Sequence, residues 1–148
     1  MKNKKIAILI LLTVSACAKP PEIHQVDKSK TFNDSFETTW SRVIQFFTSN
    51  NIPIKTIDKS SGVIYAEKLN GTKEEGERYA DCGTPGIALI LSTKISMNIF
   101  VQKLGSTQSK ATINTTFSQI RQFDGRTFEA NCNSRGTLEL QLLSTLGQ

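Results

Sequence analysis

Lys94-Ile95-Ser96-Met97-Asn98-Ile99-Phe100-Val101-Gln102 decides the fold of this chain. Apolar and polar side chains alternate along it, with Phe100 the one apolar residue out of phase. A period of two marks a strand with one buried and one wet face. The pattern returns after a turn that begins at Leu104-Gly105-Ser106. There Ala111, Ile113, Thr115 and Phe117 alternate with Thr112, Asn114, Thr116 and Ser118. Two such strands joined by a short turn predict an antiparallel sheet, which can leave one face in water.

Upstream, Phe36, Trp40, Val43, Ile44 and Phe47 fall at helical spacing and make one apolar stripe, read as core. Asp34 and Glu37 have capping-box spacing at its start, and Asn50, Asn51 and Pro53 stop it. A short first strand precedes it at 29–32. Residues 52–57 read as a strand, at a sheet edge or a strand start because Pro53 lacks a ladder donor. The turn cluster Asp58-Lys59-Ser60-Ser61-Gly62 leads into a return strand over 63–68. Near the C-terminus, Asn133 or Ser134 can cap a last helix with the stripe Leu138, Leu142, Leu143 and Leu146. The order β-α-β-β-β-β-α predicts an α+β domain. Its antiparallel sheet of four to five strands carries two helices on one face, a helix-grip-like arrangement.

Between these elements the pattern fades. Over 69–92, Asn70-Gly71 and Gly76 break any period, and Glu74, Glu75 and Glu77 read as a solvated acidic loop. The stretch ends in the apolar run Ile87-Ala88-Leu89-Ile90-Leu91, for which burial is the expectation. Left exposed, Ile87, Leu89 and Leu91 would form a partner surface, because exposed apolar patches are uncommon without a use. After Asp124-Gly125 the chain reads as a loop as far as Cys132.

The N-terminus carries Lys2, Lys4 and Lys5 ahead of an apolar stretch over 6–14. That stretch falls short of the ~20 residues a spanning helix needs, so a cleaved export signal is expected. The run Val14-Ser15-Ala16-Cys17 resembles the lipobox of bacterial lipoproteins: aliphatic, small, small, cysteine. The resemblance implies that residues 1–16 are removed as a signal peptide and that Cys17 becomes an acylated N-terminus. A lipidated tether over 17–30, with Pro20-Pro21 near its start, would then hold one periplasmic domain, 31–148, at the membrane. Ala18 stands where an Asp favours inner-membrane retention, which implies the periplasmic face of the outer membrane. The segment 32–68, with Phe36, Trp40 and Ile44 on a helix before Ile52-Pro53-Ile54, also resembles the repeat unit of BamC-type outer-membrane assembly lipoproteins. That likeness implies an assembly-accessory role with a periplasmic or outer-membrane protein partner.

The 18 basic and 13 acidic residues give a net charge of +5. Three of the basic residues sit in the leader, so the processed chain would carry +2. No clustered basic face emerges, which argues against nucleic acid. Cys82 and Cys132 remain once Cys17 is acylated, and in an oxidising periplasm an even pair reads as a disulfide. Closing a loop of about 50 residues is worth roughly 4 kcal/mol in the chain-entropy model. No third cysteine or nearby histidine argues for a metal. His24, the only histidine, falls in the tether and reads as solvated, so a histidine-dependent nucleophile has no base. No phosphate-binding glycine loop is present, and no cofactor or metal is expected. The expectation is a non-enzymatic, lipid-anchored interaction module. Its alternative is a carrier of a small apolar ligand, in a cavity lined by Phe36, Trp40, Met97 and Phe117.

Overall fold

The computed structural model describes residues 19–148; the expected signal peptide and the lipobox-like run Val14-Ser15-Ala16-Cys17 lie outside the described residues. The chain runs β1 (Ser29–Phe32), α1 (Phe36–Ser49), β2 (Ile54–Asp58), β3 (Val63–Gly71), α2 (Lys73–Tyr79), β4 (Ala80–Asp81), β5 (Leu89–Lys103), β6 (Ser109–Phe123), β7 (Arg126–Ser134) and α3 (Thr137–Thr145). The α+β class and the antiparallel sheet agree with the sequence. The counts do not: among the described residues seven strands and three helices replace the expected four to five and two.

β5 and β6 form the spine, paired from Lys103 opposite Ser109 to Leu89 opposite Gln122. Their alternation holds as read. Ile95, Met97, Ile99 and Val101 are buried beside Ala111, Ile113 and Phe117, while Asn98, Phe100, Asn114 and Thr116 face water. Strand order is β2-β3-β5-β6-β7-β4, with β1 pairing β6 off this path. β1 lies beside residues 109–112 of β6 and β7 beside residues 117–123, so the two share one side of that strand. β2 is terminal in the sheet, where Pro53 at its start costs no ladder bond.

The helices cover the inner face. α1 buries Trp40, Val43, Phe46 and Phe47, with Phe36 and Ile44 at the margin of the core. Its N-cap is Ser35, whose hydroxyl accepts from the Thr38 N–H at 3.2 Å. The capping-box reading of Asp34 and Glu37 is therefore corrected. Asp34 accepts from the Arg42 guanidinium at 2.6 Å and Glu37 from Lys59 at 2.5 Å. α3 buries Leu138, Leu142 and Leu143, and Leu146 at its end, as the stripe predicts. Its N-cap, however, is Gly136, because Asn133 and Ser134 belong to β7. Ser134 still serves the turn by accepting from the Gly136 N–H at 3.0 Å. Each fully buried large apolar side chain contributes about 1.5–3 kcal/mol.

α2 corrects the acidic loop. Thr72 caps it through a reciprocal capping box. The Thr72 hydroxyl accepts from the Glu75 N–H at 3.2 Å, and Glu75 accepts from the Thr72 N–H at 2.8 Å. Lys68 donates to Glu75 at 2.5 Å and holds its carboxyl below the usual range. Glu74 and Glu77 remain exposed. The helix lies close on β5: a Cβ at Gly76 would come within 2.5 Å of Thr93 Oγ1. Thr93 continues the inner row of β5, so α2 packs on the same face as α1 and α3.

Candidate functional site

Cys82 and Cys132 form a disulfide, with Cα atoms 4.1 Å apart. Cys132 lies in β7, which corrects the loop reading of residues 126–131. Cys82 follows β4, whose Ala80 and Asp81 pair with Ser134 and Asn133. The bond thus ties two neighbouring strands, and the long excursion between them is closed at its base. Beside it, Arg121 is 7% exposed on the inner face of β6. Its guanidinium donates to the Cys82 carbonyl at 2.6 Å and to Gln119 Oε1 at 2.7 and 2.9 Å. Burial lowers the Arg121 pKa, yet an arginine stays charged throughout the physiological range.

Residues 19–28 run extended along this region instead of standing free. The Lys19 N–H donates to Thr84 Oγ1 at 2.6 Å, and the Thr84 N–H returns to the Lys19 carbonyl at 3.0 Å. Asn133 Nδ2 donates to the carbonyls of Pro21 and Glu22 at 3.3 and 3.0 Å. The Ile113 N–H then takes the Lys28 carbonyl at 2.7 Å, which feeds the chain into β1. Gly83 makes the contact with Lys19 possible. It sits at φ +64°, and a Cβ there would lie 2.2 Å from the Lys19 carbonyl oxygen. The stretch expected as a solvated tether is therefore a strap over 19–28.

His24 rides on that strap, half-buried, with Nε2 3.8 Å from Asp81 Oδ2, so the solvated-linker reading is corrected. His24, Glu22 and Asp81 bring three donor atoms within 4.8 Å of one another, a set of the kind divalent ions use. Both carboxylates are engaged, however. Lys19 binds Glu22, and Asp81 accepts from the Gly83 N–H at 2.8 Å with Arg135 at 3.7 Å. The Gly83 bond leads the causes that hold the Asp81 carboxyl below its ordinary value.

Of the open clefts that border the strap, two are larger than the rest. One, of about 410 Å³, includes Lys19, Asp81, Thr84, Pro85 and Arg135 in its walls. The other, of about 670 Å³, lies between the strap and β7, with His24, Phe117, Asn133 and Glu139 among its lining. Glu139 is buried and accepts from the hydroxyls of Thr115 and Ser134. Its Oε2 has no hydrogen-bond partner among the described residues.

The expected partner surface is exposed, against the expectation of burial: Ile87 is 83%, Leu89 66% and Leu91 53% accessible. The reason is local. β5 shifts register between Ile90 and Ser92, beyond the point where α2 covers Thr93, and Ile90 turns into the first cleft while its neighbours face out. The four residues expected to line a ligand cavity do not meet around a single one: Phe117 borders the second cleft and Phe36 a separate shallow one beside Gly62 and Phe100. Trp40, Met97 and Phe117 are members of the packed core, and Phe36 packs against it. Sequence reasoning passed over one further feature, the outer edge of β7 around the exposed Phe128. Its polar sequence carries no strand period that could have marked it. No described helix is long and apolar enough to cross a membrane. No protein-family model matches the sequence, and no curated protein shows a significant match to it.

Proposed function

We propose that this chain is a lipid-anchored lipoprotein of the bacterial envelope, on the periplasmic face of the outer membrane, acting as a non-enzymatic module that docks a protein partner. The anchor reading rests on Val14-Ser15-Ala16-Cys17 after a basic, apolar leader. Two or more acyl chains on Cys17 would give stable attachment where one chain is marginal.

The docking reading is carried by one observation, the open edge of β7. On one side β7 pairs with β6 from Arg126 to Cys132. On the other, among the described residues, only Asn133 and Ser134 meet a strand, β4. Residues 126–131 therefore present backbone donors and acceptors to solvent, a template for an added strand from another chain. The edge is held straight from behind: Glu129 accepts from Ser118 at 2.5 Å and from Lys94 at 3.2 Å. Phe128, 45% exposed, offers the incoming strand an apolar contact.

A photo-crosslinking residue placed at Thr127 should give one discrete heterologous adduct in intact envelopes, and the same group at Thr107, on the β5–β6 turn, should give none. Adducts from neither position, or with the chain itself alone, would remove the docking claim. The anchor is tested separately by palmitate labelling, which Cys17→Ala should abolish.

A further inference from the structure

We infer that the exposed apolar segment 87–91, the turn before β5 and the first residues of that strand, is a membrane-contact surface, laid against the lipid by the same strap that leads to Cys17. This rests on the lipoprotein reading above and adds to it. The anchor would then be a short, oriented mount that sets one end of the domain on the bilayer.

Covalent geometry carries the argument. Two residues of chain span at most about 7 Å, so an anchor attached at position 17 leaves Lys19 no longer leash than that. Lys19 is bonded in both directions to Thr84. Gly83 makes this approach close, and the neighbouring Cys82 is fixed to β7 by the disulfide. Ile87 follows Thr84 by three residues, about 11 Å at full extension. Acyl chains inserted from Cys17 therefore bring Lys19, Thr84 and the patch of Ile87, Leu89 and Leu91 to the boundary between headgroups and hydrocarbon. Apolar side chains held there exchange water for the acyl layer, which is the favourable direction. The opposite end of β5, at Lys103, is fourteen residues away, about 45 Å along the strand, and stays in water.

The attraction is apolar in kind. The cations that share the first cleft with Pro85 each have an acid: Lys19 has Glu22, Lys73 has Glu77 at 3.6 Å and Arg135 has Asp81 at 3.7 Å. Contact should therefore form on an uncharged lipid surface.

The test uses the native protein extracted in detergent and reconstituted into phosphatidylcholine vesicles. Mass spectrometry of the N-terminal peptide first reads acylation of Cys17; an unmodified cysteine sinks the lipoprotein reading and the membrane contact with it. With acylation established, hydrogen exchange is compared between vesicles and the Cys17→Ser chain in solution. Amides over 85–92 should slow by about tenfold or more in vesicles, while those over 104–108 should not change. Acylated protein whose 85–92 amides exchange as fast as in solution overturns the membrane contact while leaving the anchor standing. Protection that needs native envelopes and is missing from protein-free vesicles overturns it too, and assigns the patch to a protein. In the acylated variant carrying Ile87→Asp, Leu89→Asp and Leu91→Asp, protection should vanish although the exposed positions leave the fold intact; protection that survives counts against the proposal.

Discussion

Under α1 and α3, the sheet is closed by apolar shape. Val43, Phe47, Ile64, Ile113 and Leu142 are completely buried, and the outer face opposite them is wet. Around Cys82 and Cys132 polar and covalent links join that apolar packing, which still includes Phe117 opposite Cys132. Gln119 and Arg121 occupy the inner row of β6, a disulfide joins the strands, and backbone bonds hold the strap. Large apolar side chains on this side, Ile87, Leu89, Leu91 and Phe128, stand outside. The difference teaches that one sheet carries two stabilities. The first is non-directional and spread over many side chains. The second depends on a few directed bonds made between distant parts of the chain.

The sharpest way to break this comparison is to remove the covalent bond. Cys82→Ala combined with Cys132→Ala should lower unfolding stability by about 4 kcal/mol in urea titration. A loss below about 1 kcal/mol would mean that apolar contacts also hold the disulfide side. In the other half, Leu142→Ala should cost about 3 kcal/mol through lost burial and a residual cavity, lowering Tm while the strap's amide protection relative to the rest is unchanged. Arg121→Met keeps the apolar stem but leaves the Cys82 carbonyl without its donor. A loss of about 2 kcal/mol is expected, with faster exchange confined to 80–86.

The two halves were also unequally legible. β5 and β6 announce themselves because one face of each is buried, and α1 and α3 because their leucine and aromatic stripes have helical period. β7 could not be read that way. In Arg-Thr-Phe-Glu-Ala-Asn-Cys-Asn-Ser the apolar residues are few, no residue of the strand is fully buried, and pairing with β6 defines it. α2 is only seven residues long with a glycine inside it, although its Thr72–Glu75 capping box was open to view. The strap offers no local signal, since its partners Thr84, Ile113 and Asn133 are 65 to 112 residues away. Of the candidate site, the disulfide followed from a count of cysteines. The patch at 87–91 was visible as an apolar run, but its exposure reversed the burial expected, because the register shift between Ile90 and Ser92 leaves Leu89 and Leu91 facing away from the described helices.

Smaller effects sharpen the same contrast. Thr72→Ala removes a cap and should cost about 1 kcal/mol by thermal unfolding, with loosening centred on α2. Asp58 tests the β2–β3 turn, remote from the strap. Hydrogen bonds from the Ser60 hydroxyl first, then from Ser61, bring its pKa down to about 2 from an ordinary 3.8. Because the folded value is depressed, this stabilisation is complete above the ordinary value and is lost as pH falls through about 2. Ser60→Ala should move the Asp58 midpoint upward in an NMR titration and leave the strap amides unaffected.

Hydrogen exchange on the native chain, before and after reduction of its disulfide, tests the central claim most directly. Reduction should speed exchange about tenfold or more in residues 19–28, 80–92 and 126–134, while α1, α3 and residues 95–103 hold their protection. A strap that keeps its protection after reduction, or a loss spread evenly over both halves, would contradict the account.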